Sequence, residues 1–312
     1  MTVIIRAFSW EKDFEFIRTF LIETYNQTHS LHNWIPIMFE NIKFGPCGEE
    51  YKNEEDEHIK IWEEIDESKG SSSSKIVAVT IRKPPSHCWI QIHPDYRFLE
   101  EKIVLWIEKQ RKGMKNNETQ ELEIRLYVEE TDEERIALLS ELGYQKRELW
   151  EYNRKRPLDL PIPEYKLPNG FNIRNVNIDE DFQKYKEVQE SVFPHCSQMT
   201  EKTMKIYRTA SFYIEDLDLV VVAPDGNFAA FCTVRIDPVS KIAELEPVGT
   251  HPSYRKLGLA KAVICEGLHR VKTYQPSMIC IQGAAPTDAA NCLYESLGFT
   301  EKTGVFLWQK TI

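Results

Sequence analysis

The strongest constraint on the fold is that the sequence repeats itself. His93-Pro94-Asp95-Tyr96-Arg97 recurs as His251-Pro252-Ser253-Tyr254-Arg255. Glu141-Leu142-Gly143-Tyr144 recurs as Ser296-Leu297-Gly298-Phe299, and Ile5-Arg6-Ala7 resembles Ile173-Arg174-Asn175. Three matches in the same order and at similar spacing point to two copies of one fold. A chain of 312 residues is long enough for two domains, each with its own core. The seam is read at Arg154–Pro163, which is proline-rich and lacks helical period, as an extended linker would be. The expected domains are therefore 1–156 and 157–312. A second irregular zone, about residues 43–75, holds acidic Glu54–Glu57 and the run Ser71–Ser74, which reads as a loop.

The second copy has mixed α and β signals. Phe171–Val176 reads as a strand and Asp179–Val192 as a helix, with apolar spacing at Phe182, Tyr185 and Val188. Leu219–Val222 and Phe228–Ile236 flank the turn Pro224-Asp225-Gly226-Asn227 and read as a hairpin. Ile242–Val248 is the next strand, Leu259–Tyr274 a helix, Met278–Gln282 a strand, Asp288–Leu297 a helix and Val305–Lys310 a closing strand. The fold class is mixed α/β.

Bulk properties narrow the function. The formal net charge is −10, and an acidic surface repels phosphate backbones, so no nucleic-acid partner is expected and a cationic or amine substrate suits the field. No stretch approaches the roughly 18–20 apolar residues of a membrane span, and the start of the chain lacks a signal-peptide pattern. Seven scattered cysteines without a C-x-x-C read as free thiols in a reducing, cytoplasmic setting, and no metal site is expected. A doubly wound nucleotide-binding fold needs Gly-x-Gly-x-x-Gly after its first strand, and that motif is missing.

The chemistry-bearing stretch runs from Glu244 to Ala260: a strand, a short loop, then a helix opening on Arg255-Lys256-Leu257-Gly258-Leu259-Ala260. A helix's first turn offers unpaired N–H groups and about half a positive charge, which suits a pyrophosphate. Gly258 allows close approach, Ala260 keeps the space small, and Arg255 and Lys256 add charge. These residues resemble the Arg/Gln-x-x-Gly-x-Gly/Ala cofactor loop of the GNAT N-acetyltransferase superfamily. The later Asn291-Cys292-Leu293-Tyr294-Glu295-Ser296-Leu297-Gly298-Phe299 resembles the same family. The likeness covers about 171–312 well and 1–156 weakly. It implies two tandem GNAT-like domains, each a mostly antiparallel sheet flanked by helices.

The resemblance also implies acetyl-CoA as co-substrate, held by backbone at Val248, Gly249 and Thr250, by Arg255 to Ala260, and by Asn291 and Tyr294. It implies a general base on the preceding strand, Glu244 ranked first and Glu246 second, and Tyr294 as the acid that protonates the leaving thiolate. The expected activity is direct acetyl transfer to an amine of a small molecule or peptide by a monomer or homodimer. A non-catalytic acyl-CoA sensor or assembly module is the alternative. In the first copy the matching loop reads Tyr96-Arg97-Phe98-Leu99-Glu100, with a carboxylate in place of the glycine. That copy is expected to keep the fold, lose the cofactor and shape the substrate cleft. Trp34, Phe39 and Trp62 could line that cleft, though core is their ordinary place. His29 and His32 read as surface-helix residues.

Overall fold

The computed structural model describes residues 2–46, 58–65, 74–83, 85–113 and 121–312. The acidic run Glu54–Glu57 and Ser71–Ser73 lie outside them. In chain order the elements are β1 (Thr2–Ala7), α1 (Trp10–Thr28), α2 (Pro36–Phe44), β2 (Ile59–Ile65), β3 (Ser74–Lys83), β4 (His87–Ile92), α3 (Glu100–Lys112), β5 (Glu123–Glu129), α4 (Glu133–Glu141) and β6 (Gln145–Arg156). They continue with β7 (Asn172–Asn175), α5 (Ile178–Val192), α6 (Glu201–Tyr207), β8 (Asp218–Val222), β9 (Phe228–Ile236), β10 (Ile242–Thr250), α7 (Leu259–Val271), β11 (Met278–Ala284), α8 (Asp288–Ser296) and β12 (Glu301–Thr311). Among the described residues no helix is long and apolar enough to cross a membrane.

The chain packs as two units. The first comprises the described residues of 1–36 and 52–151, with 303–312. Its strands run β1-β2-β3-β4-β5-β12-β6. β1–β2, β2–β3, β3–β4 and β5–β12 pair antiparallel, and β4–β5 pairs parallel at His87↔Arg125. Inward residues alternate along each strand and meet α3 and α4 in a core that includes Trp62, Ile90, Ile103, Leu126, Leu139 and Trp308. Trp62 and Phe39 are fully buried, so both are core side chains.

The second unit comprises residues 37–46 and 152–302. Its strand order is β6-β11-β10-β9-β8-β7, with Tyr152–Arg156 as the portion of β6 that pairs with β11. β9 is buried along its whole length and packs on α7 through Ala229, Val234, Val263 and Leu268. The two units repeat one lock between first strand and first helix. Arg6 on β1 grips Asp13 on α1 through two bonds of 2.8 Å, and Arg174 on β7 grips Asp181 on α5 at 2.5 and 2.8 Å.

Three features differ from the sequence reading. Arg154–Arg156 are not linker but the end of β6, because their backbone pairs with Ile279–Ile281 of β11. The closing strand around Val305–Lys310 exists, but it pairs with β5 in the first unit, Val305↔Glu129 through Thr311↔Glu123. Helix α2, apart from Pro36, packs in the second unit, where Glu40 accepts hydrogen bonds from the Ser211 N–H and from its hydroxyl, the latter at 2.9 Å.

Candidate active site

The site is built on a break in β10. Its antiparallel pairing with β9 runs Ala243↔Ile236, Glu244↔Arg235 and Leu245↔Val234, then shifts register and resumes at Val248↔Cys232. Glu246 and Pro247 fill the interruption, as a β-bulge does. On its other edge β10 pairs parallel with β11 only from Ile242↔Met278 to Glu244↔Cys280. Beyond Glu244 those strands part. The His251 N–H bonds the Ala229 carbonyl on the β9 side at 2.9 Å. Strand alternation therefore turns the N–H and C=O of Thr250 and Val248 toward the parted edge. Gly249 faces β9 instead. Its missing side chain makes room for Phe231, whose Cζ would stand 2.4 Å from an added Cβ.

The parted edge leads into the loop before α7. Lys256 and Gly258 both have positive φ, 66° and 77°, so left-handed residues alternate with others. Such alternation curls successive N–H groups into an anion-binding concavity. An added Cβ on Gly258 would meet no atom within 4 Å, so the approach to the loop is open. Arg255, Lys256 and Leu257 are exposed, Ala260 is half-buried and Leu259 is anchored in the core. Arg255 Nε lies 3.4 Å from the Thr250 carbonyl, which ties the loop to the strand end.

The bulge separates the two glutamates. Glu244 is fully buried on regular strand, 3.8 Å from Arg235 Nη1. Glu246 is half-buried and lines a cavity of about 300 Å³, together with Arg235, Tyr207, Tyr185, Phe193 and, from α2, Asn41 and Ile42. Burial pushes the Glu246 carboxyl up from the ordinary carboxylate range, and the Arg235 guanidinium pulls it down. Arg235 is itself buried and donates from Nε to the Tyr207 hydroxyl at 3.0 Å.

On α8, Tyr294 is half-buried and meets Phe299 edge-on at 6.1 Å. Burial first, then the negative charge of Glu246, holds its phenol proton tightly, well above pKa 10. Asn291, one turn earlier, accepts a hydrogen bond from Arg154 Nη2. Arg154 is fully buried and also donates to the Phe299 carbonyl at 3.0 Å, so it fixes α8 from β6. Cys292 is exposed. The sequence reading missed Arg154, because it lay in the presumed linker. It also missed Arg235, although a lone arginine in an otherwise apolar strand is a legible sign of a buried pair.

A strand that parts from its parallel neighbour and feeds a left-handed loop and a helix is the corner at which the resemblance places the cofactor. Residues 182–299 match the model of the Acetyltransferase (GNAT) family. That stretch lies within the second unit and is similar to the GNAT family. A mycothiol acetyltransferase of Thermomonospora curvata is 29% identical over 149 residues, 47% of this chain and 50% of that protein. One from Salinispora tropica is 28% identical over 171 residues, 52% of this chain and 55% of that protein. The chain thus spans about half the length of these curated relatives. Among solved structures, a tandem GNAT protein from the clavulanic acid biosynthesis pathway has a TM-score of 0.68 at 13% identity, covering 99% of this chain and 98% of that one. A GCN5-related N-acetyltransferase from Sphaerobacter thermophilus has a TM-score of 0.65 at 17% identity, covering 99% and 95%. At these identities the two structures share the fold.

Proposed function

We propose that the second unit is an acetyl-CoA-dependent N-acetyltransferase that passes the acetyl group directly to an amine of a small molecule. The observation that carries this reading is the parted edge at Val248–Thr250 running into an open, left-handed loop, with Glu246 in a cavity beside it. The groups present suit acetyl-CoA. Two backbone positions on the parted edge can pair with an extended amide chain, and the curled N–H groups before α7 can take a pyrophosphate. Acetyl-CoA, when bound, supplies an activated acetyl thioester.

The chain's own residues then have distinct tasks. Glu246, not Glu244, is the better base: it reaches the cavity, and burial raises its proton affinity toward the working range. It takes one proton as the amine nitrogen bonds to the carbonyl carbon. The Val248 N–H points into the gap and can stabilise charge on the carbonyl oxygen. Tyr294 keeps its proton at neutral pH and can deliver it to sulfur as the carbon–sulfur bond breaks. Arg154 holds Asn291 and so orients α8. Among the described residues five cysteines are buried, and burial pushes four of these, Cys88, Cys232, Cys265 and Cys280, away from the thiolate form, which disfavours a covalent thiol route.

The test is release of free thiol from acetyl-CoA with and without a panel of amines. Amine-dependent release supports an enzyme. Tight acetyl-CoA binding with no release for any amine identifies a sensor or assembly module instead.

A further inference from the structure

Arg235 is the one lysine or arginine on the lining of the Glu246 cavity, and it is only 4% exposed. A buried cation is costly unless its donors are met. Here they are met in part. Nε donates to the Tyr207 hydroxyl at 3.0 Å, and Nη1 is occluded and 3.8 Å from Glu244, beyond hydrogen-bond reach. Nη2 is not occluded and has no partner among the described residues. In a planar guanidinium Nε and Nη2 share one edge, so Nη2 faces the side on which Tyr207 lies, and Tyr207 lines the cavity too. The Tyr207 hydroxyl accepts from Nε, but its own proton has no acceptor among the described residues, and burial raises its pKa to about 12, so it stays a donor. The rings of Tyr207 and Phe212, 5.5 and 5.2 Å from the guanidinium, hold its plane.

We infer that this donor edge receives a carboxylate of the acceptor, and that the acceptor is a free α-amino acid with an apolar or aromatic side chain. This rests on the transferase reading above. A carboxylate has two oxygens, one for Arg235 Nη2 and one for the Tyr207 hydroxyl, and both bonds are charge-assisted. Glu246 shares the lining but not the ion pair, which Arg235 makes with Glu244. An ammonium beside Glu246 and a carboxylate on Arg235 are the two ends of one zwitterion, which adds no net charge to a buried site. Arg235 also stands between the incoming carboxylate and Glu244, since the two meet different nitrogens. The rest of the wall, with Ile42, Phe193, Met204 and Pro247, suits an apolar side chain, and a volume of about 300 Å³ suits a single amino acid.

The experiment compares phenylalanine, 2-phenylethylamine and aspartate as acceptors with acetyl-CoA, after calorimetry has established that the protein binds acetyl-CoA. The expected kcat/KM for phenylalanine is at least ~100-fold above that for phenylethylamine, which lacks only the carboxylate, and more than ~10-fold above that for aspartate. Arg235→Met should bring the ratio of phenylalanine to phenylethylamine down to ~1–5. The ratio reports carboxylate binding alone, because both acceptors share the base and any shift in its pKa. Should Arg235→Met fail to fold for want of a partner to Glu244, Arg235→Met with Glu244→Gln removes both charges and is read in the same way. Phenylethylamine turned over as well as phenylalanine overturns the substrate class and leaves the transferase standing. Aspartate turned over as well as phenylalanine overturns the apolar side chain. A ratio that stays near 100 without Arg235 overturns its role. No acetylation of any amine by protein that binds acetyl-CoA overturns both readings.

Discussion

The two units use one strand–loop–helix corner in opposite ways. In the second unit the parted strand edge stays open and the loop bends left-handed at Lys256 and Gly258. In the first unit the chain fills the same corner with itself. His93 N–H bonds Val77 as His251 bonds Ala229, which leaves Ile92 in the place of Thr250. The side-chain amide of Asn33 then takes both Ile92 groups: Nδ2 donates to its carbonyl at 2.8 Å and Oδ1 accepts from its N–H at 3.0 Å. At the place of Gly258, Glu100 is right-handed and buried, bound by Arg135 and 3.0 Å from Arg97 Nε. The fold survives both changes because neither touches the core. A ligand site of this kind depends on leaving backbone groups unmet, and a few side chains suffice to meet them.

The largest expected effect comes from giving the second loop the first loop's residue. Gly258→Glu forces a side chain into φ 77° and puts a carboxylate where the pyrophosphate should lie. Acetyl-CoA affinity should fall ~1,000-fold or more by calorimetry, while the far-UV spectrum stays native. The strain costs on the order of 1–2 kcal/mol, so the melting temperature drops a few degrees. Two equivalent acetyl-CoA sites in the unmodified chain would refute the comparison outright.

Next is the base. Glu246→Gln should lower kcat by ~10²–10⁴ with acetyl-CoA affinity nearly unchanged. The base works deprotonated, so activity rises with pH through the Glu246 pKa. Burial raises that pKa, so the acid limb of kcat/KM should lie above the usual carboxylate range. Arg235→Met removes the cation that pulls it down and should move the limb higher still. Should Glu244→Gln abolish turnover and Glu246→Gln not, the sequence ranking of the two is the right one.

Tyr294→Phe tests the acid at smaller scale. It should cost roughly 10² in kcat and little in acetyl-CoA affinity, since the ring contact with Phe299 is kept. A nearly silent change would make Tyr294 a packing residue of α8.

Most of the second unit's core was legible in the sequence because its signals are local. The Pro224–Asn227 turn, the period of α5 and the glycine before α7 each declare themselves within a few residues. The site's depth was less legible. Glu244 and Glu246 read as neighbours on one strand face, and only the register shift at Glu246–Pro247 separates a buried ion-pair partner from a cavity carboxylate. Asn41 was illegible for a different reason. It lies within the first copy by sequence, and its place in the second unit is set by contacts far apart in the chain, such as Glu40 with Ser211. The closing strands misled for the same reason, since a strand pattern does not name its partner.

The smallest expected effect separates the two ways in which the first corner is filled. Asn33→Ala removes the amide that satisfies Ile92 and leaves Glu100 with its arginines. A buried, unmet backbone group costs about 1–3 kcal/mol, but the adjoining cavity of about 520 Å³, lined by Ile92 and Asn33 themselves, admits water to replace the lost bonds. The loss of stability should therefore be near the low end, ~1–2 kcal/mol by denaturant unfolding, with kcat unchanged. The acetyl-CoA stoichiometry should stay at one, because Glu100 still occupies the place of the phosphate-facing glycine. Removing Glu100 alone would instead leave Arg135 buried without its closest partner and cost more, about 3–5 kcal/mol. A second acetyl-CoA site in Asn33→Ala would mean that the amide alone closes the first groove. An unchanged single site would mean that the loop residue, not the strand edge, decides which of the two copies can hold the cofactor.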